Sequence, residues 1–180
     1  MHKISGVIAK DVSGLQYPRI ALPQGYCLIS NPISQMEQHQ SSVEEPFDRL
    51  NREMKRQLKL VSNVTPAAYI ETEYFGGVGL QAAQVWDGGK PTHPPQITDD
   101  GEGLTAKQKV FQVSGKAINE ALKRIGVIAE AGLDEFDTLD LATMRSEVKI
   151  HKLLAEQEDG KDVTNTSYTP TPADRRARGA

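Results

Sequence analysis

The segment over residues 67–86 constrains the fold of this chain most, because two stretches with the pattern of β-strands flank a pair of glycines. Side chains in residues 67–75 alternate in character, which is typical of an antiparallel strand with one face in solvent. Gly76 and Gly77 accept the positive φ angles of a tight turn, and residues 80–86 return as the partner strand. The segment therefore predicts a β-hairpin. Its solvent face is expected to carry Tyr69, Glu71, Glu73 and Phe75.

Two helices are predicted around this hairpin. The first runs from Ser41 or Ser42 to about Leu60, because serine can cap it and apolar residues then recur every three or four positions. The second lies between Ser114 as its N-cap and Gly126 just past its end. We therefore expect an α+β fold, in which a small antiparallel sheet with a central glycine-turn hairpin packs against two or three helices.

The predicted domain covers residues 26–156. It begins with residues 26–30, a short apolar run that is typical of a buried strand. Closely spaced glycines and prolines before this run predict an irregular arm or an edge strand over residues 1–25. Residues 157–180 are too polar to bury a core, so we expect a disordered tail there.

Three segments inside the domain have weaker patterns. Residues 90–103 hold several prolines among polar residues and are expected to form a loop. Residues 107–113 fit either a strand or the lead-in to the next helix, and we favour the strand. Residues 146–157 carry the spacing of a final helix.

Composition argues against several classes of function. The chain has 21 Lys+Arg against 24 Asp+Glu, a net charge of −3, which argues against nucleic acid as its main partner. Cys27 is the only cysteine, so an intrachain disulfide and a cysteine-rich zinc site are excluded. Within its apolar strand we expect Cys27 to be a small buried hydrophobic residue. No apolar run approaches a membrane span, so we expect a soluble cytoplasmic protein with no membrane partner.

Two clusters of charge have modest implications. The first predicted helix carries a basic face over residues 49–59, which we expect to be solvated. Residues 134–140 carry four carboxylates but lack the spacing and central glycine of a calcium loop. This acidic cluster is expected to be a solvated turn or the start of a helix, and an alternative is that it pairs with the basic face.

A glycine pattern in the hairpin matches a dinucleotide-binding fingerprint. Residues 77–82 read G-x-G-x-x-A, which in nucleotide-binding folds joins a buried strand to a helix. The strand before it carries Glu71 and Glu73, and Asp87 with two glycines follows too soon for a helix. We therefore interpret the glycines as a hairpin turn.

Glu71 and Glu73 are the most suggestive pair of carboxylates. Two positions apart on a strand, they would point to one face about 7 Å apart, where they could share a cation or divide acid and base roles. No histidine lies nearby in the sequence to complete a metal site. We expect a structural or solvated role for the pair, with no metal and no cofactor.

Part of the chain shows a family resemblance. Residues 70–79, the pairs Ala82-Ala83 and Val85-Trp86, and residues 118–122 and 134–137 carry it. The combined pattern, with its YFGGxG hairpin, resembles small uncharacterised bacterial proteins over about residues 65–145. The resemblance implies one compact α+β unit and brings no reaction or catalytic residue.

Three functions are compatible with these patterns. The leading hypothesis is a non-catalytic module that binds another protein, of an inhibitor or immunity type. Its binding residues would be Tyr69, Glu71, Glu73, Phe75, Gly77 and Gly79. One alternative is a metal-assisted hydrolase that uses Glu71, Glu73 and a carboxylate from residues 134–140. The other alternative is an accessory component of a larger assembly, suggested by the arm and the tail.

Overall fold

The computed structural model describes residues 2–11, 19–30, 46–75, 78–101 and 103–144. These residues form an α+β fold in which one antiparallel sheet is covered on both faces. The strands are β1 (His2–Lys10), β2 (Ile20–Leu22), β3 (Tyr26–Ser30), β4 (Ala67–Phe75), β5 (Val78–Asp87), β6 (Lys90–Pro91) and β7 (Gln96–Asp99). The α-helices are α1 (Arg52–Ser62), α2 (Ala117–Arg124) and α3 (Glu135–Thr138).

The predicted hairpin is present as β4 and β5. The two strands pair antiparallel along their whole length and meet at Phe75 and Val78. Residues 78–82 of the glycine pattern therefore lie in a strand and not at the start of a helix, which agrees with the interpretation as a hairpin and not as a nucleotide-binding turn. The predicted strand over residues 26–30 is confirmed as β3.

The prediction of an irregular arm or edge strand over residues 1–25 agrees with β2, which forms one edge of the sheet, but it is wrong for β1. The strand order is β2-β3-β1-β4-β5-β6, so β1 lies inside the sheet between β3 and β4. Gly6, one of the closely spaced glycines of this segment, lies inside β1 and permits close contact with β3. A Cβ atom at Gly6 would lie 2.5 Å from the Ile29 carbonyl oxygen, and this distance is too short for any side chain.

Both faces of the sheet are buried in separate cores. Alternate residues of β1 and β4 such as Ile8 and Ile70 pack beneath α2 and α3. The residues between them, including Val7 and Tyr69, pack on the other face beneath α1. Because side chains alternate along a strand, Glu71 and Glu73 lie on the α1 face.

Helix α1 begins later than predicted. Its N-cap is Asn51, whose side chain accepts a hydrogen bond of 2.8 Å from the Met54 amide. The predicted caps Ser41 and Ser42 lie outside the described residues. The predicted apolar stripe is nevertheless buried, although its first members precede the helix. These buried residues are Phe47, Leu50, Met54, Leu58 and Val61.

Helix α2 ends as predicted. Gly126 has a φ of 93°, and its amide bonds to the Lys123 carbonyl while the Val127 amide bonds to the Leu122 carbonyl. This pair of bonds is the Schellman arrangement, which needs a left-handed residue and favours glycine. The N-cap is Lys116 and not Ser114.

Two further predictions about loops are corrected. The predicted loop over residues 90–103 contains β6 and β7, which both pair with β5. The favoured strand over residues 107–113 is a 3-10 turn at Gln108–Phe111 instead. The predicted final helix and tail lie outside the described residues.

Candidate functional site

The predicted solvent face of β4 is partly buried. Tyr69 is 0% exposed and Glu71 is 5% exposed, so the prediction that both lie on a wet surface is wrong. The segment over residues 46–50 covers them, and Phe47 packs edge-on against the Tyr69 ring with the ring centres 5.2 Å apart. This cover comes from a distant part of the chain, so the alternating pattern of β4 could not indicate it.

The buried carboxylate of Glu71 is held by three donors. Its Oε1 accepts a hydrogen bond of 2.6 Å from the Tyr69 hydroxyl and one of 2.8 Å from the Arg49 amide. Its Oε2 accepts a bond of 2.8 Å from the Asp48 amide. Both oxygens therefore bind groups of the protein itself, which leaves Glu71 unsuited to the cation-binding or acid-base role considered for it.

Burial dominates the electrostatics of this pair. Desolvation raises the pKa of Glu71, although the hydrogen bonds from Tyr69, Asp48 and Arg49 act in the opposite direction. Desolvation, followed by the adjacent Glu71 carboxylate, raises the pKa of Tyr69 well above its usual value. The phenol therefore stays protonated and continues to donate to Glu71.

Beyond Glu71, the same face of the sheet opens into a groove of about 390 Å³. Three carboxylate residues line this acidic groove: Asp48, Glu73 and Asp99. Leu80 and three glycines at positions 79, 101 and 103 complete the lining. Asp48 is exposed, and Glu73, Leu80 and Asp99 are half-buried.

The register of the sheet builds most of this groove. Glu73 of β4 is the partner of Leu80 on β5, and Leu80 is the partner of Asp99 on β7. The three residues form a row across the sheet that places the backbones of Glu73 and Asp99 about 10 Å apart. On its other side, Glu73 is in register with Lys3 of β1. Asp48 comes from the segment that covers Glu71.

The Asp99 carboxylate is oriented by its own loop. Its Oδ1 accepts a bond of 3.0 Å from the Gly101 amide, and its Oδ2 accepts one of 2.9 Å from the Gly103 amide. A carboxylate offers about four lone-pair positions, so these two bonds leave capacity for a ligand. The Asp-Asp-Gly-x-Gly sequence at residues 99–103 is the signal that could have pointed to this side of the groove.

The structure brings together only part of the predicted binding set. Glu73 and Gly79 line the groove, whereas Tyr69 and Glu71 lie in the core. Phe75 ends β4, and its side chain, like all of Gly77, lies outside the described part of the structure. Sequence reasoning missed Asp48, because it placed that residue inside a helix, and Asp99, because it placed that residue in a loop.

The predicted partners of the hydrolase alternative lie apart. Helix α3 begins after Asp134 on the sheet face opposite Glu71 and Glu73, so the sheet separates the two sets of carboxylates. Asp134 is the N-cap of α3 and also pairs with Lys116 at 2.9 Å. This arrangement agrees with the expected helix start and places the cluster away from the basic face. Across the described ranges, no group of three or more His, Cys, Asp or Glu side chains could hold a metal ion.

Two further ionisable groups, Asp134 and Cys27, have pKa values that are explained by their roles in the fold. Burial opposes ionisation of Asp134, but the Asp137 amide and the Lys116 and Asn119 side chains outweigh it, so the pKa of Asp134 is lowered. Cys27 is buried as expected, and burial, with a smaller contribution from Asp11, raises the pKa of its thiol to about 11.

Comparisons of the chain with protein-family models, with curated proteins and with solved structures find no match. Among the helices of the described residues, none has the length and apolar character needed to cross a membrane.

Proposed function

We propose that this chain is a non-catalytic protein-binding module whose acidic groove receives a basic segment of a partner protein. The observation that supports the proposal is the set of three carboxylate residues, Asp48, Glu73 and Asp99, around one open groove. Lysine and arginine side chains are the natural partners of such a surface.

The shape and lining of the groove favour an extended peptide over a small substrate. The groove is wide open to solvent, whereas catalytic pockets enclose most of their ligand. Half-buried Leu80 offers an apolar contact for the alkyl part of a lysine or arginine side chain. The glycines have no side chains, so a partner backbone can approach the groove walls closely.

An inhibitor or immunity-type role follows from the same chemistry. A module that covers a basic surface of its partner would mask that surface by steric exclusion and by charge. Glu73 is kept from the predicted contacts, Asp48 and Asp99 are added to it, and the buried residues Tyr69 and Glu71 are withdrawn. The protein would act in the cytoplasm. This reducing compartment suits a chain whose single cysteine cannot form an intrachain disulfide.

A direct test measures the binding of a fluorescent hexa-arginine peptide to the full chain by anisotropy. We expect the Asp48→Asn/Glu73→Gln variant to bind about tenfold more weakly than wild type at low salt, and we expect this difference to shrink at high salt. The matched control is Asp87→Asn/Glu130→Gln, which removes two exposed carboxylates elsewhere. Equal binding by the groove variant and the control variant would contradict the proposal, because net charge alone would then explain the affinity.

A further inference from the structure

The groove and the buried carboxylate are connected through one short segment. Asp48 is one of the residues that line the groove, and its backbone amide donates to Glu71 Oε2 at 2.8 Å. The next amide, that of Arg49, donates to Glu71 Oε1. Two consecutive backbone amides of the segment over residues 46–50 therefore donate hydrogen bonds to one side chain of β4, that of Glu71.

The surroundings of Glu71 make this attachment strong. The carboxylate is 5% exposed, so its hydrogen bonds do not compete with bulk water. The charged and titratable groups around it are Tyr69 from β4 and Asp48 and Arg49 from the covering segment. Its register partners are Ser5 on β1 and Ala82 on β5, and neither carries a charge.

We infer that Glu71 is the positioning residue of the groove, which sets the place of Asp48 and thereby the affinity for a basic ligand. Glu71 does not touch the ligand, since it lies in the core and both of its carboxylate oxygens accept hydrogen bonds from the protein. The part of the inference that concerns affinity rests on the proposed function. The part that concerns the position of Asp48 does not.

A single substitution isolates the bond to Asp48. In Glu71→Gln, the amide oxygen can remain where Oε1 accepts from Tyr69 and Arg49, and the amide nitrogen then faces the Asp48 N–H. Two donors oppose each other there, so the Asp48 amide loses its partner while the other two bonds survive. Tyr69→Phe is the matched control, because it removes one donor to Glu71 and leaves both backbone amides attached.

The test is a double-mutant cycle on hexa-arginine binding by the full chain, with Glu71→Gln and Asp48→Asn. We expect each single variant to weaken binding about threefold, and the double variant to bind no more weakly than Asp48→Asn alone. Tyr69→Phe should bind like wild type. A purely structural role for Glu71 would give additive losses, and that result would overturn the inference.

A second measurement on the wild-type chain needs no substitution and no peptide. The amide proton signals of Asp48 and Arg49 should shift together as the Glu71 carboxyl carbon titrates in an NMR pH series. Amide signals that stay constant through that titration would overturn the inference even if peptide binding were normal. If wild type does not bind hexa-arginine but the amides do shift, the proposed function fails and the positioning of Asp48 by Glu71 stands.

Discussion

At the scale of single residues, Gly6 is required for the pairing of β1 with β3, because the two strands approach closely beside it. A Cβ atom there would lie 2.5 Å from a backbone oxygen of Ile29 and 2.9 Å from Leu28 Cδ1. The backbone oxygen cannot rotate away as the end of a flexible side chain would. The requirement at this position is therefore for space rather than for a turn.

We expect Gly6→Ala to lower the free energy of unfolding by about 3 kcal/mol, because the added methyl group overfills a packed strand pair. Urea denaturation followed by circular dichroism measures this change. Gly103→Ala is the matched control, since its Cβ would meet only Asp99 Oδ2 at an ordinary 3.7 Å. A loss of similar size in both variants would contradict the steric explanation.

Glu71 gives the stability of the protein a specific dependence on pH. Burial raises the pKa of Glu71 in the folded protein above that of an unfolded glutamate. As the pH falls, the Glu71 carboxylate is therefore protonated in the folded state before it is protonated in the unfolded state. The stabilisation that comes from this difference in the Glu71 pKa is fully present below the unfolded pKa, and it is lost as the pH rises through the folded pKa. We expect the free energy of unfolding of wild type, minus that of Glu71→Gln, to fall as the pH rises across this window. Urea titrations at a series of pH values give the difference, and a difference that rises with pH would contradict the assignment.

At the scale of elements, one side chain, the N-cap Asn51, defines where helix α1 begins. The Asn51 side chain accepts from the Met54 amide, and this bond satisfies one of the otherwise unpaired amides of the first turn. The sequence also offers Ser41 and Ser42, the predicted caps, at earlier positions. The choice among these caps depends on residues 46–50, which cover β4 and cannot be helical at the same time.

Asn51→Ala should therefore lower the free energy of unfolding by about 1 kcal/mol, the usual cost of a lost cap. Ser114→Ala is the control, because Ser114 is exposed and the N-cap of α2 is Lys116. We expect the control to change stability by less than about 0.5 kcal/mol. Thermal unfolding under matched conditions separates the two, and equal losses would mean that Asn51 does not act as a cap.

The elements also show how far sequence reasoning reaches in this chain. Strand β3, the β4–β5 hairpin and the end of α2 were predictable, because each depends on a pattern within about twenty neighbouring residues. The interior position of β1 was not, since its partners lie far along the chain. The burial of Glu71 was missed for the same reason, and so was the arrival of Asp48 beside Glu73.

At the scale of the whole molecule, β1 joins the two cores. Ile8 belongs to the core beneath α2 and α3, and its neighbour Val7 belongs to the core beneath α1. Both side chains are 0% exposed. The two faces of the sheet therefore depend on the same strand and should unfold together.

We expect Ile8→Ala to lower the free energy of unfolding by about 3 kcal/mol and to leave a single transition. Probes on the two faces, the fluorescence of Trp86 and the amide signals of α2, should report one midpoint in urea. Ile128→Ala is the control, because that side chain is 75% exposed and its loss should be nearly neutral. Separate midpoints for the two probes would show that the cores are independent.

The interior place of β1 also affects the chain while it is being synthesised. Ile8 pairs with Leu28 and with Ala68, which follows about sixty residues later. At a typical elongation rate of about 5 to 20 residues per second, one edge of β1 stays without its neighbour for about 3 to 12 seconds on the ribosome. An apolar strand with an open edge readily joins other chains during such an interval. The yield of folded protein in a cell should therefore depend on how fast the ribosome reaches β4 and on the chaperones that meet the nascent chain.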